Sequence, residues 1–148
     1  MTQIQNPDDT QLTEILRRAK VVACVGASAN PDRPSHFVSV FLTQRGLRVI
    51  PVNPGLAGQQ LWGETVYASF ADIPADLRQE IDFLDIFRRS EDVPDVVEAA
   101  LHNLPNLRCV WMQVGVTNEA AASSARAKGI DVVQNRCPKV EFPRLLGG

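Results

Sequence analysis

Short apolar runs alternate along the chain with segments in which apolar side chains recur every three or four positions. The apolar runs are typical of strands buried on both faces, and they predict strands at 21–25, 47–52, 81–87, 108–112 and 130–134. The periodic segments predict helices at 10–20, 36–45, 93–104 and 118–128, with shorter helical pieces at 69–73, 75–80 and 142–146. This alternation, with short connections, predicts an α/β fold: a doubly wound, mainly parallel sheet with helices on both faces.

No linker, repeat or low-complexity stretch interrupts the pattern, so residues 1–148 are expected to form a single domain. Its first part, 1–20, carries the leading helix, and 135–148 form a C-terminal tail.

Several local signals mark the expected boundaries. Ser35 and Thr117 are predicted helix N-caps. Pro51 removes a ladder donor, so it is expected near the end of its strand or at an irregularity. The glycine-spotted stretch 56–65 is expected to be irregular.

Charge and length exclude some function classes. The formal charge of −2 comes without a basic stripe, which argues against nucleic-acid binding. No apolar run approaches the roughly 20 residues that span a bilayer, and the first residues lack a secretory pattern, so a cytoplasmic protein is expected. Cys24, Cys109 and Cys137 lack metal-ligand spacing, which argues against zinc.

The loop after the first strand is the first candidate site. Gly26 ends the strand, small and turn-prone residues follow, and a helix begins near Ser35. Free amide groups and a positive helix end would suit a phosphate, and a side chain at position 26 would push that phosphate away. The alternative is an ordinary strand-to-helix connection.

The carboxyl ends of parallel strands meet at one edge of the sheet, where ligands bind at the switch in strand order. Segments that should meet there are 26–28, 53–55, 87–88, 113–115 and 135–137.

A nicotinamide site is weakly supported. The dinucleotide pattern requires three glycines and a later acid, whereas here Gly26 stands alone and Val52-Asn53-Pro54 carries no acid. The two histidines are expected to serve as a helix-start residue (His36) and a solvated surface residue (His102).

Five motifs in order resemble the standalone CoA-binding domain proteins, a family related to the nucleotide-binding domain of the succinyl-CoA synthetase α subunit. The motifs are Val25-Gly26-Ala27-Ser28 with Arg33-Pro34-Ser35, Val49-Ile50-Pro51-Val52-Asn53-Pro54, Asp85-Ile86-Phe87-Arg88, Val110-Trp111-Met112-Gln113-Val114-Gly115 and Arg136-Cys137-Pro138. The resemblance extends from Ala19 onward and implies a Rossmann-like fold that holds coenzyme A (CoA).

The resemblance also implies roles for individual residues. Those near the phosphates would be Gly26, Ala27, Ser28, Arg33, Pro34 and Ser35. Those flanking the adenosine would be Val52, Asn53 and Pro54, and those along the pantetheine or phosphates would be Phe87, Arg88, Gln113 and Gly115.

Cys137 leaves the last strand between Arg136 and Lys139, and Pro138 is expected to keep a helix from starting directly on it. Nearby positive charge would favour its thiolate, the form that would make a mixed disulfide with the thiol of bound CoA. The alternative is a packed cysteine that simply ends the strand.

Two other groups receive structural interpretations. Asp82 and Asp85 lie three apart in one strand and so on opposite faces, where strand-end hydrogen bonding is expected rather than paired catalysis. Trp111 is expected in the core, and Arg88 is either solvated or a phosphate contact.

The predicted function is binding of CoA or an acyl-CoA by a non-catalytic carrier, sensor or regulatory module. The synthetase's phosphorylated histidine has no counterpart motif, so ligase activity is not transferred. The alternatives are a nucleotide-dependent enzyme, either an NAD(P) oxidoreductase or an acyl-CoA ligase subunit that needs a partner, and a scaffold with an empty pocket. The sequence leaves open a homo-oligomer or an unidentified protein partner.

Overall fold

The computed structural model describes residues 4–148 and confirms the doubly wound α/β prediction. Its strands are β1 Val21–Val25, β2 Arg48–Val52, β3 Gln60–Leu61, β4 Glu64–Thr65, β5 Phe83–Ile86, β6 Cys109–Met112 and β7 Asp131–Val133. Its α-helices are α1 Asp9–Arg18, α2 Pro34–Gln44, α3 Ala75–Glu80, α4 Val93–Asn103, α5 Glu119–Arg126 and α6 Pro138–Leu146. Residues 1–3, which open the segment assigned to the leading helix, lie outside the described residues.

The main sheet is parallel, with the order β2-β1-β5-β6-β7. Alternate residues of each strand enter two apolar cores, as the unbroken apolar runs require. In β1, Val22 faces the core shared with α1, α2 and α6, whereas Ala23 faces the core shared with α3, α4 and α5. Order reverses between β1 and β5, so the crevice expected of such folds opens there.

Two predicted caps are wrong. Ser35 lies inside the first turn of α2, because Pro34 takes the first helical position, where a missing N–H costs nothing. At α5 the cap is Asn118 rather than Thr117, since its Oδ1 accepts a hydrogen bond from the Ala121 N–H at 3.0 Å.

Pro51 lies one residue from the end of β2, as expected, and it is tolerated there because β2 is an edge strand. Its carbonyl accepts from the Tyr67 N–H at 3.1 Å on the outer side, so its nitrogen also faces away from β1. The segment expected to be irregular contains a small hairpin, β3 and β4. Trp62 and Gly63 turn it with φ of 39° and 82°, and Trp62 Nε1 donates to the Val49 carbonyl at 2.9 Å.

The tail is more helical than expected. Cys137 is the N-cap of α6 and Pro138 its first residue, so this proline starts a helix instead of preventing one. Trp111, fully buried as predicted, donates from Nε1 to the Arg136 carbonyl at 2.8 Å and fixes the segment before α6.

A side chain covers the outer backbone just beyond β7. Asn6 Nδ2 donates to the Gln134 carbonyl at 2.9 Å, and the Gln134 N–H donates to Asn6 Oδ1 at 2.8 Å. The Asn6 amide thereby imitates the pairing of a further strand.

Within residues 4–148, every helix is too short or too polar to cross a membrane. The same residues contain no group of three or more His, Cys, Asp or Glu side chains arranged to hold a metal ion.

Candidate anion-binding crevice

A crevice of about 720 Å³ opens at the carboxyl ends of β1 and β5, at the switch in strand order. It brings together many of the predicted site residues, namely Gly26, Ala27, Ser28, Arg33, Pro34, Ser35, Asn53, Phe87 and Gln113. The sequence analysis expected Gly55 and Val114 in the strand-end segments at this edge without assigning them a role, and it missed Ala29, Asn30, Leu56 and Val116, which also line the crevice. The missed residues lie within two positions of an expected segment, so whole strand-end loops would have been a better guide than motif positions.

Gly26 is required for a reason that the sequence did not show. Its φ is 86°, and a β-carbon there would overlap the Phe87 carbonyl oxygen on β5's side of the crevice. This constraint is one of backbone against backbone, across the switch point, and it applies whether or not a phosphate binds there.

The expected amide cradle starts two residues later than predicted. The N–H groups of Gly26 and Ala27 both donate to the Val52 carbonyl, at 3.1 and 3.4 Å, so they are occupied. The N–H groups of Ser28 and Ala29 have no acceptor among the described residues.

Two side chains orient these peptides. Asn53 Nδ2 donates to the Ala27 carbonyl at 2.7 Å, and His36 Nδ1 lies 2.8 Å from the Ser28 carbonyl. In a trans peptide the N–H points opposite to the carbonyl, so both contacts turn the next residue's N–H away, toward the crevice. Successive N–H groups of this kind form an anion-binding concavity.

The start of α2 completes this surface. The Ser35 N–H has no acceptor among the described residues, and it lies at the positive end of the helix. Arg33 is exposed beside it without an ion-pair partner in residues 4–148. Asn30 shapes the loop: its N–H donates to Ser28 Oγ, and its Oδ1 accepts from the Asp32 N–H, both at 3.0 Å.

Other predicted site residues lie outside the crevice lining. The Val52 side chain is buried in the core shared with α3, α4 and α5. Its carbonyl nevertheless accepts hydrogen bonds from the loop that follows β1. Pro54 begins a short 3₁₀ turn that Asn53 caps. Arg88 pairs with Asp92 at 3.3 Å, and the Gly115 N–H donates to Asn135 Oδ1 at 2.7 Å.

Cys137 lines a second cavity, of about 590 Å³, which shares Val114 with the crevice. Val114 and Val140 are 67% and 62% exposed there, so this cavity has an apolar side. Burial raises the pKa of Cys137, and the Lys139 and Val140 N–H groups lower it by less. The predicted thiolate is therefore wrong: partial burial outweighs the nearby positive charge.

Asp85 lies directly beneath the crevice, fully buried. Its Oδ1 accepts from Gln113 Nε2 at 3.2 Å, whereas its Oδ2 has no partner among the described residues. Burial raises the pKa of Asp85 from 3.8 to about 7, which the Gln113 hydrogen bond lowers only in part. The prediction of strand-end hydrogen bonding is thus confirmed for Asp82, whose carboxylate accepts hydrogen bonds from the Lys20 and Val21 N–H groups. The same prediction is wrong for Asp85.

Comparison with known proteins identifies this architecture. Residues 20–143 match the family described as CoA binding domain. The chain belongs to this family.

The Bacillus subtilis (strain 168) protein YneT is 37% identical over 137 residues, which are 93% of this chain and 96% of YneT. A solved Thermus thermophilus structure, cell-free ID.343, is 35% identical with a TM-score of 0.85, covering 94% of this chain and 99% of that one. Acetyl-coenzyme A synthetase 1 from Candidatus Korarchaeum cryptofilum, solved with phosphate and ADP, has a TM-score of 0.62 at 21% identity. That match covers 81% of this chain and 27% of the synthetase, and it shows a shared fold.

Because Gly26 lies so close to the Phe87 carbonyl, replacing it should destabilise the fold more than replacing another glycine with positive φ. Gly26→Ala should lower the free energy of unfolding by about 3–4 kcal/mol, because strain at positive φ adds to overlap with Phe87. Gly58 is the matched control: its φ is 87° but a β-carbon meets nothing within 4 Å. Gly58→Ala should cost only about 1–2 kcal/mol in urea unfolding. Equal losses of unfolding free energy in the two variants would contradict the prediction, because they would show that the backbone at Phe87 moves to make room for the β-carbon.

The raised pKa of Asp85 predicts that the free energy of unfolding falls as pH rises. Its pKa is higher folded than unfolded, so its stabilising contribution is complete below about pH 4 and is lost as pH rises through about 7. The loss should approach about 4 kcal/mol in wild type and be absent in Asp85→Asn. Urea unfolding of both proteins at a series of pH values measures it. Parallel curves for the two proteins would contradict the prediction.

Proposed function

We propose that the chain binds CoA or an acyl-CoA as a non-catalytic carrier, sensor or regulatory module. The observation that carries this proposal is the row of N–H groups at Ser28, Ala29 and Ser35, which lack acceptors among the described residues and border the crevice. They suit the diphosphate of CoA, with Arg33 as the neighbouring cation. Membership of the CoA binding domain family supports the same ligand.

The lining of the crevice favours binding over catalysis. Among its described residues the one ionisable side chain is Arg33, which is too basic to exchange protons near neutral pH. General acid–base chemistry uses groups whose pKa lies near the working pH. An enzyme would therefore need catalytic groups from outside this lining.

The end of β2 favours CoA over NAD. Asn53 is engaged on both sides, by the Ala27 carbonyl and by the Gly55 N–H at 2.8 Å, and no acid lines the crevice there to hold a ribose. Gly55 and Leu56 instead present an apolar surface on which the adenine would lie.

The second cavity lies where the thiol end of CoA would fall. The carboxyl ends of β1 and β7 are three strand spacings apart, about 14 Å. An extended pantetheine arm spans ~15 Å by standard bond lengths, so phosphates held at Ser28 would place the thiol near Cys137.

Thermal unfolding tests whether CoA is the ligand. CoA at about a hundred times its Kd should stabilise the protein by roughly 2.7 kcal/mol, which raises Tm by about 5–10 °C. NAD should raise Tm less, and Arg33→Ala should reduce the CoA shift. Arg17→Ala removes an exposed arginine of α1 that is paired with Glu14, and should leave the shift unchanged. An equal or larger shift with NAD would overturn the assignment.

Thiol exchange tests the position of the pantetheine. Cys137 should attack CoA disulfide, forming a Cys137–S–S–CoA bond and releasing one CoA thiol. Because burial raises the Cys137 pKa, the yield should rise with pH above neutrality. Peptide mass spectrometry without reductant locates the adduct. An undiminished yield in Cys137→Ser, or an adduct on the buried Cys24 or Cys109, would exclude this placement.

A further inference from the structure

Asp85 and Gln113 connect the interior of the sheet to the crevice. Asp85 is 0% exposed within β5, and Gln113, which follows β6, is 6% exposed and lines the crevice. The hydrogen bond between Gln113 Nε2 and Asp85 Oδ1 is the one side-chain contact of this carboxyl group among the described residues. A buried carboxylate oxygen without a partner is costly, so Asp85 Oδ2 calls for an explanation.

Among residues 4–148, no positively charged side chain acts on the pKa of Asp85, which is set by burial and by the Gln113 hydrogen bond. The charge of Asp85 raises the pKa of three nearby thiols: Cys24 of β1, Cys109 of β6 and Cys137 at the start of α6. Burial raises the pKa of all three, so they are neutral at pH 7. From the covering helices, α2 contributes the Ser39 hydroxyl, which donates to Cys24 Sγ at 3.4 Å, and α1 contributes apolar Leu12, Ile15 and Leu16. Within residues 4–148, Asp85 has no ion-pair partner, so its charge is uncompensated.

The protonation state of Asp85 determines what Gln113 can offer. An ionised carboxylate only accepts hydrogen bonds, so Gln113 must turn its NH₂ group inward and leave its carbonyl oxygen for the crevice. A protonated carboxyl group can instead donate its O–H to that carbonyl oxygen. The Gln113 NH₂ group is then available to the crevice as a donor.

We propose that Asp85 is a positioning residue: it takes up a proton when an anionic ligand binds, and thereby turns the NH₂ group of Gln113 toward that ligand. This inference rests on the proposed function. CoA offers phosphate and amide oxygens, all acceptors, so the donor arrangement suits it. The proton also removes a negative charge that lies beneath the phosphates.

The expected size of the effect of the Asp85 charge on ligand affinity follows from the sheet geometry. Asp85 pairs in register with Cys24, and Gly26 lies two residues further along β1. A phosphate at the loop is thus on the order of 10 Å from the carboxylate. Charges at that distance, in a site of intermediate dielectric, change affinity roughly tenfold.

Calorimetric titration of CoA at a series of pH values tests the inference. The Kd of wild type should weaken roughly tenfold more than that of Asp85→Asn between about pH 5.5 and about pH 8.5. The variant retains every pH dependence that does not arise from Asp85, including that of the CoA phosphates, so it serves as the control for the ligand's own ionisation. Wild type should also take up more protons on binding, measured in buffers of different ionisation enthalpy. Identical pH profiles would overturn the inference.

Carbon-13 NMR of aspartate carboxyl groups provides a second readout in the native chain. The Asp85 resonance should titrate near neutrality in the ligand-free protein, and its pKa should rise by about one unit with CoA bound. Tight CoA binding with an unshifted Asp85 would overturn this inference and leave the proposed function intact. Absence of CoA binding at every pH would overturn both.

Discussion

The close approach of Gly26 to the Phe87 carbonyl is the constraint on which the site depends. It brings the carboxyl ends of β1 and β5 together where the strand order reverses, so the loop after β1 must turn at once. The Val52 carbonyl then holds the first two N–H groups of that loop. Only from Ser28 onward are the loop N–H groups available to a ligand, although Gly26 and Ala27 also line the crevice.

The polar side chains of the loop serve the backbone more than the ligand. Asn53 and His36 each hold a carbonyl group, and the N–H groups of the peptides that they orient form the proposed recognition surface. Gln113 differs, since one end of its amide contacts the buried Asp85 while the residue itself borders the crevice.

The fold was largely predictable from the sequence because each strand of the main sheet is buried on both faces and appears as an unbroken apolar run. The candidate loops followed, since parallel strands place their carboxyl ends together. The hairpin at Trp62 was not predictable, because a bulky residue at positive φ contradicts local preference and is held by its bond to Val49. The burial of Asp85 was also hidden: Asp82 and Asp85 look alike in one strand, and only the pairing with β6 shows which of them lies inside.

At both edges of the main sheet, part of the outward backbone is already occupied. Along β2, Pro51 offers no outward N–H and its carbonyl is taken by Tyr67. Beyond β7, a strand of only three residues, the Asn6 amide occupies the backbone of Gln134. Exposed edges are the usual route by which sheets join between molecules, and these contacts oppose it. An assembly between copies of this chain would therefore form more readily through helix faces or loops than by joining the sheets edge to edge.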